Sequence, residues 1–235
     1  MISLLVPTRG RPHNVRRFLT TAQERALGEY QVVLRLDNDD PTLDELLELA
    51  DQFDAKTFIG DRIILSDMLM DAYHVAGGDD DADIFWLQED EVVFESYGWV
   101  EAITSFFAQY PDHLLAAGAD EHRGPVPPAY PCCPILTRRW IEVTGHAFPL
   151  GFDGDWGDQW VGQVADTVDR QFTVPNLSIQ QFPAAMGMAP MDATCSERQI
   201  RQTEQDVYGL FVSRAPERQA EVEAIRRLIE AERTP

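Results

Sequence analysis

Three consecutive carboxylates, Glu89, Asp90 and Glu91, follow directly on the short apolar run Ile84 to Leu87 and on Gln88. The run is aromatic or branched, bounded by acid on both sides and too short for a helix, so it reads as a buried strand. Carboxylates crowded at a strand end repel one another, a cost that a bound cation between them would remove. The stretch therefore points to a divalent-metal site. Three further clusters carry chemistry: Pro7-Thr8-Arg9-Gly10-Arg11-Pro12, Asp37-Asn38-Asp39-Asp40-Pro41, and the glycine, aromatic and acid stretch from Gly151 to Trp160, which holds Asp155 and Asp158.

The elements around these clusters alternate. Met1 to Val6 reads as a strand, and Pro12 opens a helix whose apolar face is Val15, Phe18, Leu19, Ala22 and Ala26. Tyr30 to Leu36 is a second strand, and Asp40 with Pro41 reads as N-cap and first residue of a second helix bearing Leu43, Leu46, Leu47 and Ala50. Lys56 to Ile59 is a third strand, followed by a helix from Leu65 to Ala76 that Gly77-Gly78 ends and by an acidic turn, Asp79 to Asp83. Strand and helix in alternation predict a parallel, doubly wound sheet with helices on both faces. In such a sheet the carboxyl ends of the strands line the ligand crevice, which is where the first three clusters fall.

Beyond the acids, Trp99 to Tyr110 has helical spacing and Leu114 to Ala117 reads as a strand. Gly124 to Pro134 holds five prolines and reads as a semi-rigid loop or lid. Thr137 caps a short helix with Trp140, Ile141 and Val143; a helix follows from Trp160 to Val168; Phe172 to Val174 and Leu177 to Phe182 read as two late strands; and the tail from Glu217 is an amphipathic helix with Val222, Ile225, Leu228 and Ile229 inward.

The chain has 235 residues, enough for one α/β domain with a substantial core. Its 40 acidic and 19 basic residues leave a net charge of -21, a field that repels phosphate backbones and disfavours duplex DNA as a partner. A local metal and a few arginines can still reverse the potential inside one cleft. Cys132, Cys133 and Cys195 lack CxxC spacing and pairing number, so reduced thiols and a cytoplasmic location are expected, with no membrane span.

V-P-T-R-G-R-P after the first strand, L-D-N-D-D-P after the second and W-L-Q-E-D-E after the fourth together resemble a family 2-like glycosyltransferase of the GT-A fold, in its short single-domain bacterial or phage form. The resemblance covers roughly residues 2 to 170. It implies a three-layer α/β/α fold with a mostly parallel central sheet, in one domain: a nucleotide-sugar-binding half at 1–118, an acceptor half at 119–195 and a helical extension at 196–235. It implies that Pro7, Thr8, Arg9, Arg11, Asp37, Asp39, Glu89 and Asp90 bind a nucleotide-diphosphate sugar, UDP- or GDP-linked, with forked arginine donors on the diphosphate.

The family's Asp-x-Asp motif falls on Gln88, Glu89 and Asp90, so Asp90 and Glu91 are the expected ligands of Mn²⁺ or Mg²⁺, with Gln88 a neutral departure at the first position. The family's late metal-binding histidine has no counterpart between Asn176 and Met191, and Asp192 is a substitute. The late acid that acts as base corresponds to Asp158, with Asp155 as runner-up. Both positions also suit helix capping. The acceptor is a hydroxyl of a protein, glycan, lipid-linked or small molecule. Two other classes compete. A nucleotidyltransferase or nucleotide-sugar pyrophosphorylase would carry a glycine-rich, lysine-bearing first loop, which P-T-R-G-R-P is not. A non-catalytic acidic carbohydrate- or Ca²⁺-binding module would leave the arginine loop and late acid without a role.

Overall fold

The computed structural model describes residues 1–77, 82–124 and 129–233. Eight strands form one sheet: β1 (Ile2–Thr8), β2 (Tyr30–Asp37), β3 (Lys56–Gly60), β4 (Ile84–Leu87), β5 (Val92–Phe94), β6 (Ala116–His122), β7 (Ile135–Thr137) and β8 (Gln171–Gln181), in the order β3-β2-β1-β4-β7-β6-β8-β5. Pairings β1·β2, β1·β4, β2·β3 and β6·β8 are parallel, while β4·β7, β6·β7 and β5·β8 are antiparallel. The parallel half, β3-β2-β1-β4, is the part that alternating strands and helices predict. Every antiparallel pairing in the other half runs through β5 or β7, strands of three residues that are too brief to show a period.

Helices cover both faces. On one, α1 (Pro12–Arg25), α2 (Leu43–Gln52) and α4 (Trp99–Phe107) pack Phe18, Leu46 and Trp99 against Leu4, Val6 and Trp86 of the sheet. On the other, α3 (Leu65–Gly77), α5 (Arg138–Thr144), α6 (Gly157–Thr167), α8 (Val207–Ser213) and α9 (Ala215–Arg233) pack Trp140, Trp160, Phe211 and Ile225 against Leu5, Phe85 and Leu136. Leu4, Leu5 and Val6 alternate between the two faces, as a strand buried on both sides requires. This is a three-layer α/β/α GT-A-like fold. A further helix, α7 (Ala193–Glu204), buries no residue at all.

Several local expectations change. Asp40 does not cap α2, which starts at Leu43 behind Thr42; Asp40 instead accepts from the Thr42 N–H at 2.7 Å and from the Gly10 N–H at 2.8 Å, tying together the loops after β1 and β2. Of residues 114–117 only the last two belong to a strand, the start of β6, and the two late strands are one, β8, carried through a register shift by Asn176 at φ 59°. Thr137 does cap α5, accepting from the Trp140 N–H. The expected helix stop at Gly78, residues 79–81 of the acidic turn and residues 125–128 of the proline-rich loop lie outside the described residues. All three cysteines are free. Among the described residues no helix is long and apolar enough to cross a membrane.

Candidate functional site

The carboxyl ends of β1, β2 and β4 stop side by side, so the loops that follow them share one crevice. Pro7, Thr8, Arg9, Arg11, Asp37, Glu89, Asp90 and Glu91 line one cavity there. Asp39 lies outside its lining, exposed and paired with Arg9. Asp37 is held from two sides: the Arg9 Nη1 lies 3.2 Å from one carboxylate oxygen and the Arg35 Nη1 3.0 Å from the other. Burial still pushes the Asp37 carboxyl above its ordinary range against both arginines. Arg35 is only 1% exposed and also donates to Asp71 and to the carbonyls of Leu36 and Asp61. A guanidinium with five donors can satisfy all of these at once. Arg35 went unread as a site residue, although its i, i+2 spacing from Asp37 along a strand places both on one face.

Asp90 sits on β1 rather than in solvent. Thr8 Oγ1 donates to its Oδ2 at 2.6 Å, Arg11 Nη1 to its Oδ1 at 3.3 Å, and Asn14 Nδ2 reaches Oδ1 at 3.5 Å. Burial raises its pKa, and Arg11 and Thr8 offset part of that rise. Glu91, 4.0 Å from Arg11, is pushed up to about 8 by burial and then by Glu89 and Asp90. The neutral residue Gln88 is 3% exposed, and neither its Oε1 nor its Nε2 has a hydrogen-bond partner. The Glu89 side chain makes no hydrogen bond or ion pair among the described residues, while its carbonyl accepts from the Val92 N–H at 3.3 Å.

No group of three or more His, Cys, Asp or Glu side chains is placed to cage a metal among the described residues. The donor set at the end of β4 is nonetheless all oxygen: the orphaned Gln88 amide, the unpartnered Glu89, Asp90 and Glu91. That set fits a hard divalent cation of the kind held by one or two carboxylates, water and substrate phosphate. Asp192, the substitute late ligand, does something else. It caps α7 through the Cys195 N–H at 2.8 Å and takes Arg11 in a fork, Nε to Oδ2 at 2.6 Å and Nη2 to Oδ1 at 2.9 Å.

Helix α7 brings residues that the motifs did not single out. Arg198 and Arg201 share a face at i, i+3 and both line the cavity. Arg201 pairs with Asp153 at 2.6 Å, whereas the Arg198 guanidinium has no hydrogen bond or ion pair among the described residues. The sequence signal was the S-E-R-Q-I-R spacing, in a segment read above only as the start of the helical extension at 196–235.

A second cavity adjoins the first, lined by Asp155, Asp158, Arg123, Cys132 and Phe148. It shares Leu65, Gln88, Glu89 and Arg198 with the first. Asp158 lies in the first turn of α6, where its Oδ1 accepts from the Gln159 N–H at 2.8 Å, and burial raises its pKa. Asp155 is exposed. The start of α6 is fixed by close packing. Trp156 takes φ 73°, costly for a bulky residue, and stacks on Tyr208 and Phe211 of α8 with ring centroids at 4.8 and 5.0 Å. A Cβ on Gly157 would come within 2.0 Å of Phe148. Trp160 is buried against Phe152. Trp160 therefore belongs to the core, Trp156 packs against it while partly exposed, and neither lines either cavity.

Another residue overlooked in the sequence is Glu121 of β6, 6% exposed and accepting from the N–H groups of Cys132 and Cys133, each at 2.9 Å. Burial pushes it up to about 7, against those two hydrogen bonds. It holds the Cys132-Cys133 backbone against the second cavity, while Arg123 donates to the Cys132 Sγ.

No family profile and no curated protein matches this sequence. Solved structures of the same fold do. The chain aligns with S. aureus TarS 1-349 in complex with UDP over 99% of its own length and 91% of that chain, at 11% identity and a TM-score of 0.61. Against the longer S. aureus TarS chain it spans 36% of the length. The mannosyltransferase PcManGT from Pyrobaculum calidifontis, in complex with GDP-Man and Mn2+, aligns over 98% of this chain and 73% of that one, at 12% identity and a TM-score of 0.62. A cytidylyltransferase from Leptospira borgpetersenii aligns over 74% and 76%, at 14% identity and a TM-score of 0.53. At these identities the likeness is one of fold.

Proposed function

We propose that this chain is a glycosyltransferase of the family 2-like type, moving a sugar from a UDP- or GDP-linked donor to an acceptor hydroxyl with inversion at the anomeric carbon. One observation carries the reading: an arginine- and aspartate-lined cavity at the strand ends shares a wall with a second cavity that holds a half-buried carboxylate at a helix start. Arg9, Arg11, Arg198 and Arg201 supply the charge that a diphosphate needs, and Asp37 suits a base N–H or ribose hydroxyl. Solved proteins of this fold hold UDP or GDP-Man, which supports the donor class.

Asp158 is the base in this reading. It takes the proton of an acceptor hydroxyl in the second cavity as that oxygen attacks the anomeric carbon, and the bond to the diphosphate breaks with its electron pair leaving on the nucleotide. Burial raises its pKa, which makes it a better proton acceptor once ionised. Asp90 and Glu91 would hold Mn²⁺ or Mg²⁺, whose contribution is to offset charge on the departing diphosphate. Arg11, only 3.3 Å from Asp90, balances the carboxylate in the free protein. The nucleotidyltransferase reading shares the fold with the Leptospira enzyme, but the first loop has one glycine and no lysine.

The test is calorimetric and kinetic. UDP- or GDP-sugar binding is expected with Mn²⁺ and to weaken in EDTA; equal affinity in EDTA removes the metal from the proposal. Asp158→Asn is expected to keep donor binding and to lose about 10²- to 10⁴-fold in transfer rate. Wild-type transfer by that variant rules Asp158 out as base.

A further inference from the structure

The Cys132-Cys133 pair has no part in the chemistry described so far, yet groups from β4, β6 and β8 all hold it. Both backbone N–H groups donate to Glu121 of β6, the Trp86 Nε1 of β4 donates to the Cys133 carbonyl at 2.9 Å, and the Gln181 Nε2 of β8 donates to the Cys133 Sγ at 3.1 Å. Cys133 is thereby fixed in the core. Its neighbour is turned the other way. Cys132 is half-buried and lines the second cavity together with Arg123 and Asp158.

The Cys132 thiol lies between two charged groups. On one side its sulfur accepts from the Arg123 Nη1, and on the other it hydrogen-bonds the Asp158 carboxylate. Burial, and after it the negative charge of Glu121 and Asp158, push the thiol well above its ordinary range. It therefore keeps its proton, which makes it a donor to Asp158 and a poor nucleophile. The Asp158 Oδ1 also accepts from the Gln159 N–H at 2.8 Å. An ionised carboxylate has about four acceptor sites, so these two bonds leave room for an incoming proton.

Building on the glycosyltransferase reading, with Asp158 as its base, we propose that Cys132 is a positioning residue: its thiol, with Arg123 behind it and Glu121 seating its backbone, aims the Asp158 carboxylate at the acceptor oxygen. The Gln159 N–H belongs to the same helix as Asp158 and fixes the carboxylate only relative to α6. The thiol comes from another part of the chain and ties the carboxylate to the sheet through Glu121. That tie has a function because misplacing a reacting group by about 1 Å costs about 10²-fold in rate. Cys132 itself neither gives nor takes a proton in the step, and the acceptor's proton passes to Asp158 alone.

The experiment measures steady-state release of UDP from UDP-glucose and of GDP from GDP-mannose in Mn²⁺, with water as the acceptor. The water oxygen bonds to the anomeric carbon, one of its protons passes to Asp158 and then to solvent, and the bond to the diphosphate breaks with its electron pair on the nucleotide. Cys132→Ala is expected to lower kcat by about 3- to 10-fold, the scale of one hydrogen bond, with KM for the donor unchanged. Cys132→Val, which fills the space without a donor, is expected to lose as much. Cys132→Ser restores a donor and is expected to stay within about twofold of the wild type. In an Asp158→Asn background, Cys132→Ala is expected to add no further loss, because the base that it positions is gone. Calorimetric affinity for UDP or GDP is expected to be the same in every variant.

Release by Cys132→Ala and Cys132→Val at the wild-type rate overturns the inference. So does an equal loss in Cys132→Ser, which would make the space and not the donor responsible, and so does an equal fold-loss in the Asp158→Asn background, the mark of a structural role independent of the base. A change in KM with kcat preserved places Cys132 at the donor instead and overturns it as well. A wild type that binds nucleotide but releases none in water refutes the part given to Asp158, and this inference with it. Failure of the wild type to bind either UDP or GDP is the distinct result that overturns the glycosyltransferase reading itself.

Discussion

Helices α7 and α9 lie close together in the chain and are both rich in charge, yet they belong to the molecule in different ways. Helix α9 buries Val222, Ile225 and Ile229 in the core formed with α5 and α6. Helix α7 buries nothing. It is held over the first cavity by Arg11 on Asp192, by Thr194 on the Arg9 carbonyl, by Arg62 on Glu197 and by Arg201 on Asp153. Apolar packing resists salt and pH, while exposed and half-exposed ion pairs are worth little singly and respond to both. The contrast assigns α9 to the scaffold. It makes α7 a cover whose attachment is polar and whose inner face is part of the site.

The largest expected effect tests the scaffold half. Ile225→Ala is predicted to cost about 2 to 5 kcal/mol in urea unfolding, as for a buried aliphatic side chain, whereas Ile200→Ala on α7 should stay within about 0.5 kcal/mol. Equal losses would abolish the distinction between the two helices.

Acidity separates α7 from the sheet by sign. Glu121 has its folded pKa, about 7, above the ordinary 4.5, so its contribution is full below about 4.5 and is lost as pH rises through 7. Asp192 and Glu197 run the other way: Asp192 is lowered despite burial by the Arg11 hydrogen bond, and Glu197 by Arg62. Their contribution is present above the ordinary carboxylate range and is lost as pH falls below it. Global stability should therefore drop between about pH 5 and 8 by up to a few kcal/mol, a slope that Glu121→Gln reduces, with Glu91, pushed up to about 8, contributing in the same direction. Amide exchange in residues 193–204, corrected for intrinsic rate, should accelerate near pH 3 relative to that in residues 215–229. A flat stability profile in the wild type over that upper range would refute the role given to Glu121.

The smallest effect is local. Asp192→Ala removes the N-cap of α7 and the fork to Arg11, and is predicted to speed exchange across α7 by about 5- to 30-fold, the equivalent of about 1 to 2 kcal/mol, with α9 unchanged. Acceleration in both helices alike would mean that α7 is cooperative with the core after all.

Much of this arrangement was legible in sequence. The apolar runs of β1, β2 and β4 and the helical stripes of α1, α3 and α9 declare themselves by period, and the three loops that end parallel strands had to meet at one edge of the sheet. Their motifs therefore identified most of the cavity lining. The antiparallel strands β5 and β7 have three residues each, too few for a pattern, and became strands only because β8 and β4 were there to pair with them. Arg35, Glu121 and Arg198 were missed for related reasons. A charge in a strand or a polar helix reads as solvated until tertiary structure shows what lies opposite.

The run Ile84 to Glu91 illustrates the division. Local chemistry alone determined that a buried strand stops against a wall of oxygen donors, because hydrophobic burial and charge repulsion are properties of the residues themselves. Which oxygen does what was decided only by the fold. Asp90 was turned onto Thr8 and Arg11, Glu121 arrived from β6 with a raised pKa, and Gln88 was sealed between two cavities with neither amide atom satisfied. Those outcomes depend on partners up to 82 residues away in sequence, and no local pattern encodes which of them will come within hydrogen-bond reach.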